Sequence, residues 1–208
     1  MALLRIAFIL ALVNLAGCSF VATYNPDFGG EPPAVDAPLT GKALIYTTRE
    51  ETGYTFSGNP TSFTGGGTNL SIELGEITYR LAVKAFGSIF TQGAEHAESL
   101  DDAGSYTIVV KPRVTKYSYA YNQLKNIGFA ITPQVDLDVE VRVLDAAGNS
   151  VLDKTYSSGI RDGKSYMMSG APGEKISAVT HQTIAELLNQ AAQETYTALR
   201  ASRAAGLQ

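Results

Sequence analysis

The clearest signal in this chain is an alternation of apolar and charged residues between Gln134 and Leu144. The apolar positions are Val135, Leu137, Val139, Val141 and Val143, and the charged positions are Asp136, Asp138, Glu140 and Arg142. A period of two residues is typical of an antiparallel strand with one face on the core and the other in water. The glycine-containing stretch up to Asn149 predicts a hairpin, and Val151 to Ser157 predicts the returning strand.

Other β-branched and aromatic runs predict further strands. They are Ala43 to Thr48, Thr52 to Phe56, Tyr106 to Lys111 and Val114 to Tyr121. Pro112 cannot donate a backbone hydrogen bond, so it places its region at a sheet edge or a bulge.

Helical spacing of apolar residues predicts two amphipathic helices. The first covers Asn69 to Phe90, where Leu70, Leu74, Ile77 and Leu81 form one stripe. The second covers Glu174 to Arg200, directly after a Pro172-Gly173 break.

This order of elements predicts an α+β fold. We expect a two-layer sandwich in which one antiparallel sheet carries both amphipathic helices on one face. Residues 42–208 are long enough for one such domain.

The N-terminus has the pattern of a secretory signal. An apolar run from Leu3 to Val13 carries one basic residue, Arg5, and small residues precede Cys18. About 20 apolar residues are needed to span a bilayer. Asn14 and Gly17 interrupt this shorter run, so residues 1–17 are predicted to be a signal peptide.

The tetrapeptide Leu15-Ala16-Gly17-Cys18 resembles the bacterial lipobox. That resemblance implies cleavage before Cys18, a diacylglycerol on its sulfur and an acyl chain on the new amino terminus. Three acyl chains would anchor the protein stably, because one chain alone binds only marginally. By the enteric sorting rule that accompanies the lipobox, Ser19 implies the outer membrane, with the body facing the periplasm.

Residues 18–41 carry the acylated Cys18 and a proline- and glycine-rich stretch. Prolines at 26, 32, 33 and 38 interrupt any regular pattern. We therefore expect Ser19 to Gly41 to be a semi-extended tether, with a reach of up to about 75 Å.

Composition excludes several classes of function. A net charge of −4 gives no basic surplus for a nucleic-acid partner. The single cysteine, at the predicted lipid site, leaves no disulfide and no thiolate ligand. Two histidines, His96 and His181, make no usual zinc set, so we predict no metal and no cofactor.

Candidate catalytic motifs are weak. Gly163-Lys164-Ser165 lacks the upstream glycine of a P-loop and the downstream glycine of a nucleophile elbow. Asp136, Asp138 and Glu140 could hold calcium, but pairing with Lys111 and Arg113 on a neighbouring strand is the simpler interpretation. His181 is predicted to be a solvated or flank residue, and we predict that the protein is not an enzyme.

Tyr117, Tyr119 and Tyr121 share one face of a predicted strand. Tyrosines concentrate at binding surfaces, so this row is a candidate partner surface. A packed aromatic ladder that supports the sheet is the alternative.

The lipobox, the early helix, the alternating strand Val135 to Val143 and the closing helix together resemble small envelope lipoproteins of the YajG type. More loosely, they resemble the lipopolysaccharide-assembly lipoprotein LptE. The resemblance carries no established activity over to this chain. Our first hypothesis is a non-enzymatic accessory or docking component that meets another envelope protein. Alternatives are a module that binds a lipid or glycan, and a hydrolase with an unrecognised site.

Overall fold

The structure, a computed structural model, describes residues 18–63, 67–101, 103–122, 130–167 and 172–205. The predicted signal peptide, residues 1–17, lies outside them. Ten strands are found in the described residues: β1 (Cys18–Ala22), β2 (Ala43–Tyr46), β3 (Phe56–Gly58), β4 (Thr68–Ile72), β5 (Ala94–Ala97), β6 (Ile108–Asn122), β7 (Ala130–Asp145), β8 (Ser150–Ser157), β9 (Arg161–Asp162) and β10 (Tyr166–Met167). The α-helices there are α1 (Arg49–Thr52), α2 (Leu74–Gly87) and α3 (Pro172–Ala205).

The long antiparallel pair β6 and β7 is the centre of the fold. It runs from Ile108 opposite Asp145 to Asn122 opposite Thr132, with an irregularity between Val114 and Lys116. This bulge changes which positions face the core, because an extra residue shifts the two-residue alternation by one. Before the bulge the even positions are inward, as at Val110, and after it the odd positions are inward, as at Tyr119.

The alternating strand is confirmed as β7, with β8 returning beside it. Its five predicted core residues, Val135, Leu137, Val139, Val141 and Val143, are all at most 1% exposed. The large sheet has seven strands, and β10, β7, β6, β2 and β5 are neighbours in that order while β8 and β9 pair with β7. It is a mixed sheet, since β2 pairs in parallel with both β5 and β6.

A second sheet of three strands, in the order β1, β4, β3, corrects the predicted first helix. Thr68–Ile72 forms β4, so the helix starts only at Leu74. Leu70 and Leu74 are both buried. Leu70 alternates with Ile72 along strand β4, whereas Leu74 is the first residue of helix α2. Their four-residue separation therefore matched a helical stripe by coincidence.

The predicted strand from Thr52 to Phe56 is also replaced. Thr48 accepts a hydrogen bond from the Glu51 backbone N–H, and the Glu51 side chain accepts one from the Thr48 backbone N–H. This reciprocal capping box starts the one-turn helix α1. The strand β3 begins later, at Phe56.

The helices bury apolar stripes, as at Ile77 and Phe86 in α2 and Ile184 and Leu188 in α3. Helix α2 contacts α3, β2 and β6, and α3 contacts β7, β8 and β1. The α+β class is confirmed by this arrangement. The finer prediction of one sheet with two helices on one face is not confirmed, because the described residues contain two sheets and three α-helices.

Candidate membrane-anchoring site

The first described residue, Cys18, is also the first residue of β1. This strand pairs in parallel with β4, from Cys18 beside Thr68 to Ala22 beside Ile72. At the far end of the pair, the Glu73 backbone N–H donates to the Ala22 carbonyl at 3.2 Å. The backbone ladder therefore fixes where Cys18 lies relative to the rest of the fold.

Residues 23–41, which we call the strap, follow β1 and lie against both long helices. Side chains of the helices donate to carbonyl groups of the strap. The donors and acceptors are Lys84 Nζ to Gly30, Ser88 Oγ to Pro33 at 3.0 Å, Asn189 Nδ2 to Glu31 at 3.0 Å and Tyr196 OH to Ala37 at 3.0 Å. The four prolines of the strap carry no N–H group, so part of its attachment comes from side chains that donate to its carbonyls.

The contacts between the strap and α3 occur in the same order along both segments. Asn25, Glu31 and Ala37 meet His181, Asn189 and Tyr196 in turn. These helix positions are seven or eight residues apart, or about two turns, so they lie on one stripe. The strap and α3 therefore run in the same direction.

The strap ends in a buried contact. Leu39 is 5% exposed and forms a parallel bridge with Phe90, with its N–H donating to the Ile89 carbonyl at 2.8 Å. Gly29 passes so close to α2 that a Cβ there would lie 2.4 Å from Leu81 Cδ2. The strap is thus packed along its length.

These contacts correct the expectation of a semi-extended tether over Ser19 to Gly41. Proline and glycine do break helix and strand in this segment, apart from β1 and the short 3₁₀ turn Pro26–Phe28. They do not prevent docking, because side chains along the two helices donate hydrogen bonds to the strap. The structure leaves no free spacer between Cys18 and the body.

His181 is a core residue that bonds to the start of the strap. Its burial differs from the prediction made from the sequence. It is 0% exposed, so the prediction of a solvated or flank residue is wrong. Its Nδ1 lies 2.8 Å from the Ser177 carbonyl, and its Nε2 accepts from the Asn25 backbone N–H at 3.0 Å. A carbonyl only accepts, so the proton is on Nδ1 and the ring is neutral.

The surroundings of His181 favour this neutral form. Tyr24 and Phe28 lie with ring centroids 5.8 and 5.7 Å from the imidazole. Burial lowers the pKa of His181, and the bond to the Ser177 carbonyl only partly opposes that shift. A signal in the sequence does exist, since His181 lies three and seven residues before Ile184 and Leu188, on the apolar stripe of α3.

The three tyrosines of the candidate partner surface pack inside the chain. Tyr119 and Tyr121 are 2% and 6% exposed, and Tyr117 is half-buried against the core. The Tyr119 hydroxyl donates to the Gly58 carbonyl at 3.0 Å, and that of Tyr117 lies 3.0 Å from Thr180 Oγ1. Burial raises the pKa of the Tyr117 and Tyr121 hydroxyls. This placement fits the packed aromatic ladder, and the rings of Tyr119 and Tyr121 do not form an exposed surface in this structure.

The acidic row of β7 lies among basic partners on the outer face of the sheet. Glu140 pairs with Arg113 at 2.6 Å, and Asp136 pairs with Lys116 at 2.7 Å. Lys111 is a predicted partner of the acidic row, but its ammonium group lies instead over the Tyr46 ring. Across the described ranges, no group of three metal-ligating side chains is found.

A cleft of about 320 Å³ lies between α1, the start of α2 and β6. Thr48, Glu51 and Arg113 line it together with Tyr54 and Leu74. Thr47 also lines the cleft, and its hydroxyl lies 2.7 Å from His96 Nε2 and 2.8 Å from the Thr52 hydroxyl. Thr47 is 2% exposed, and these two contacts hold its side chain within the fold.

Comparisons with known proteins bear only on the fold. No family model and no curated protein matches the chain. A crystal structure of a Xanthomonas campestris protein of the DUF330 family has a TM-score of 0.59 at 11% identity, and the match covers 88% of this chain and 98% of that one. The fold of this chain is therefore similar to that protein's.

Two further solved structures are less similar. A PelC dodecamer from Paraburkholderia phytofirmans gives a TM-score of 0.37 at 14% identity, over 77% of this chain and 93% of that one. A minor lipoprotein from Acinetobacter baumannii gives 0.35 at 13% identity, over 76% and 93%. Because both TM-scores lie under 0.5, only the first comparison bears on the fold. Among the described residues, no helix has the length and apolar character needed to cross a membrane.

The neutral state of His181 gives a pH prediction. A lowered pKa in the folded state means that the unfolded chain binds the proton more readily. Stability from this residue is therefore complete above the ordinary value of 6.5 and is lost as the pH falls from there through the folded pKa. We expect the stability advantage of the wild type over His181→Gln, measured by urea unfolding, to shrink between pH 7.5 and pH 5.

Glutamine is chosen because it can still accept from the Asn25 N–H but does not titrate. Taking the difference between the two proteins at each pH removes the contributions of His96 and the carboxylates, which both share. A difference that stays constant over this range would show that His181 is not held neutral.

Proposed function

We propose that this chain is a lipid-anchored protein of the bacterial cell envelope, attached through Cys18. The observation that carries the proposal is the lipobox-like tetrapeptide that ends at Cys18. The structure adds that Cys18 itself pairs with Thr68 in the β1–β4 ladder, so a lipid on this residue would be joined directly to the fold.

The docked strap supports a specific arrangement at the membrane. Acyl chains on Cys18 would enter the bilayer, while the residues that follow pair at once with β4. Because no flexible spacer then separates the lipid from the fold, the body would stay at the membrane surface. This differs from a tethered lipoprotein, whose body can work far from the lipid.

We also propose that the protein acts without catalysis, as an accessory or docking component that meets another envelope protein. The supporting observation is how the reactive side chains are used in the described part of the chain. His181 bonds to the strap, His96 bonds to the buried Thr47, and Asp136 and Glu140 of the acidic row pair with basic residues. Each of these roles holds the fold together.

The attachment proposal predicts that Cys18→Ala abolishes acylation. The variant has no sulfur to receive diacylglycerol, so it should incorporate no radiolabelled palmitate and keep its signal peptide. Metabolic labelling and intact-mass measurement check both outcomes, with Ser19→Ala as the neighbouring control that should be labelled normally. Palmitate incorporation by Cys18→Ala at the wild-type level would falsify the attachment site.

Position 19 predicts the target membrane. Under the sorting rule that accompanies the lipobox, Ser19 directs export to the outer membrane and aspartate retains the protein in the inner one. We expect Ser19→Asp to move the protein to the inner-membrane fraction in a density gradient, while Ser19→Ala remains in the outer-membrane fraction. If all three proteins fractionate together, position 19 does not govern sorting in this organism.

If the protein docks on a partner protein, a photocrosslinker at an exposed apolar position should capture that partner. Ile160 is 70% exposed and borders a small recess lined by Ser118 and Gln134. Replacing Ile160 by benzoylphenylalanine and irradiating intact cells should yield one crosslinked envelope protein. The same probe at the exposed Ala146, in the hairpin between β7 and β8, serves as the control. Identical products from both positions, or none from either, would speak against a specific partner at this surface.

A further inference from the structure

Two strongly exposed apolar side chains lie at the end of the molecule that carries Cys18. Phe63 is 103% exposed and Met167 is 60% exposed. Isolated surface apolar residues need no explanation, but a common location beside a lipid attachment site does. Their location follows from the hydrogen bonds of the strands around them.

Phe63 belongs to the connection between β3 and β4. The Asn59 side chain donates to the Thr68 carbonyl at 2.8 Å, and Thr68 is the residue that pairs with Cys18. Two residues later, the Thr61 N–H donates to the Tyr119 carbonyl at 2.8 Å, and Ser62 Oγ accepts from the Tyr121 N–H at 2.9 Å. Phe63 follows directly, so it lies beside the end of β6 and four residues along the chain from Asn59, which bonds to the strand partner of Cys18.

Met167 reaches the same end from the other side of the β6–β7 pair. In β10 it lies opposite Ala130, the first residue of β7, and Tyr166 lies opposite Ile131. Helix α3 also begins at this end, since Gly173 packs so closely on Phe20 of β1 that a Cβ there would lie 2.8 Å from the Phe20 Cβ. The end of β6, the start of β7, β10 and the start of α3 thus lie at the same end of the molecule as Cys18. We call this part of the molecule the anchor end.

We infer that the anchor end is a membrane-contacting surface, in which Phe63 and Met167 insert into the lipid interface beside the acyl chains of Cys18. The inference rests on the proposed lipid attachment. Aromatic and apolar side chains are favoured at the boundary between headgroups and acyl chains. Lys164, exposed shortly before β10, adds a positive charge that suits anionic headgroups.

The chemistry of the surface favours a bilayer over a protein partner. A protein interface needs a continuous buried patch with complementary shape. Here single side chains project separately from a loop and a short edge strand, which suits a fluid apolar phase. The docked strap adds the geometric reason, because without slack after Cys18 the anchor end cannot leave the membrane while the lipid stays inserted.

The insertion of this end also fixes the orientation of the body. Strand β7 runs away from Ala130 for 16 residues, or about 50 Å. The hairpin after Asp145 therefore lies far from the anchor end. A membrane-bound molecule would place that hairpin deep in the periplasmic space.

The experiment uses the absence of tryptophan from the chain. Phe63→Trp, Met167→Trp and the control Ala147→Trp each give one fluorophore, the last at the exposed turn after β7. Each mature lipidated protein is reconstituted into phosphatidylethanolamine–phosphatidylglycerol vesicles, with or without brominated acyl chains. Intact mass confirms acylation, and thermal unfolding confirms the fold of each variant.

We expect a blue-shifted emission and loss of fluorescence by bromine quenching at positions 63 and 167, and neither effect at 147. Acylated, folded proteins with no quenching at 63 or 167 would overturn the inference and leave the lipid anchor standing. Equal quenching at all three positions would also overturn it, because the body would then lie flat on the bilayer. Failure of acylation in the wild type would instead remove the proposed function itself.

Discussion

The parallel pairing of β1 with β4 is the constraint on which the functional argument depends. It holds Cys18 beside Thr68 and leads the chain to Ala22, whose carbonyl accepts from Glu73 directly before α2. A lipid attached to Cys18 would therefore be attached to a strand of the fold. Force or orientation imposed by the bilayer would pass into the sheet without an intervening flexible segment.

The strap shows how a proline-rich segment can be ordered without regular structure. Four of its 19 residues are prolines, which have no backbone N–H to donate. Side chains of α2 and α3 donate to its carbonyls, while Leu39 supplies buried apolar area at the end of the strap. The strap in turn covers part of the surface of both helices, so the contact stabilises the strap and the helices together.

The bulge in β6 resolves a conflict between two apolar patterns in one strand. Val110 and Val114 require even positions to face inward, whereas Tyr119 and Tyr121 require odd ones. One irregularity between Val114 and Lys116 lets both sets reach the core while the ladder with β7 continues. The same face change brings Tyr117 to Thr180 on α3 and leaves Lys116 outside, where it pairs with Asp136.

The elements that could be predicted are those whose signal is local. The alternation in β7, the turn to β8 and the long closing helix each lie within a short stretch, where a two-residue or helical period can be counted. The parallel pairings, the docking of the strap and the burial of His181 became visible only in the folded chain. Those features join residues far apart in the chain, such as Asn25 and His181, and no local period reports which distant partner will satisfy a carbonyl or an imidazole. The same reason explains the tyrosines, because a strand face has identical spacing whether a helix or water lies above it.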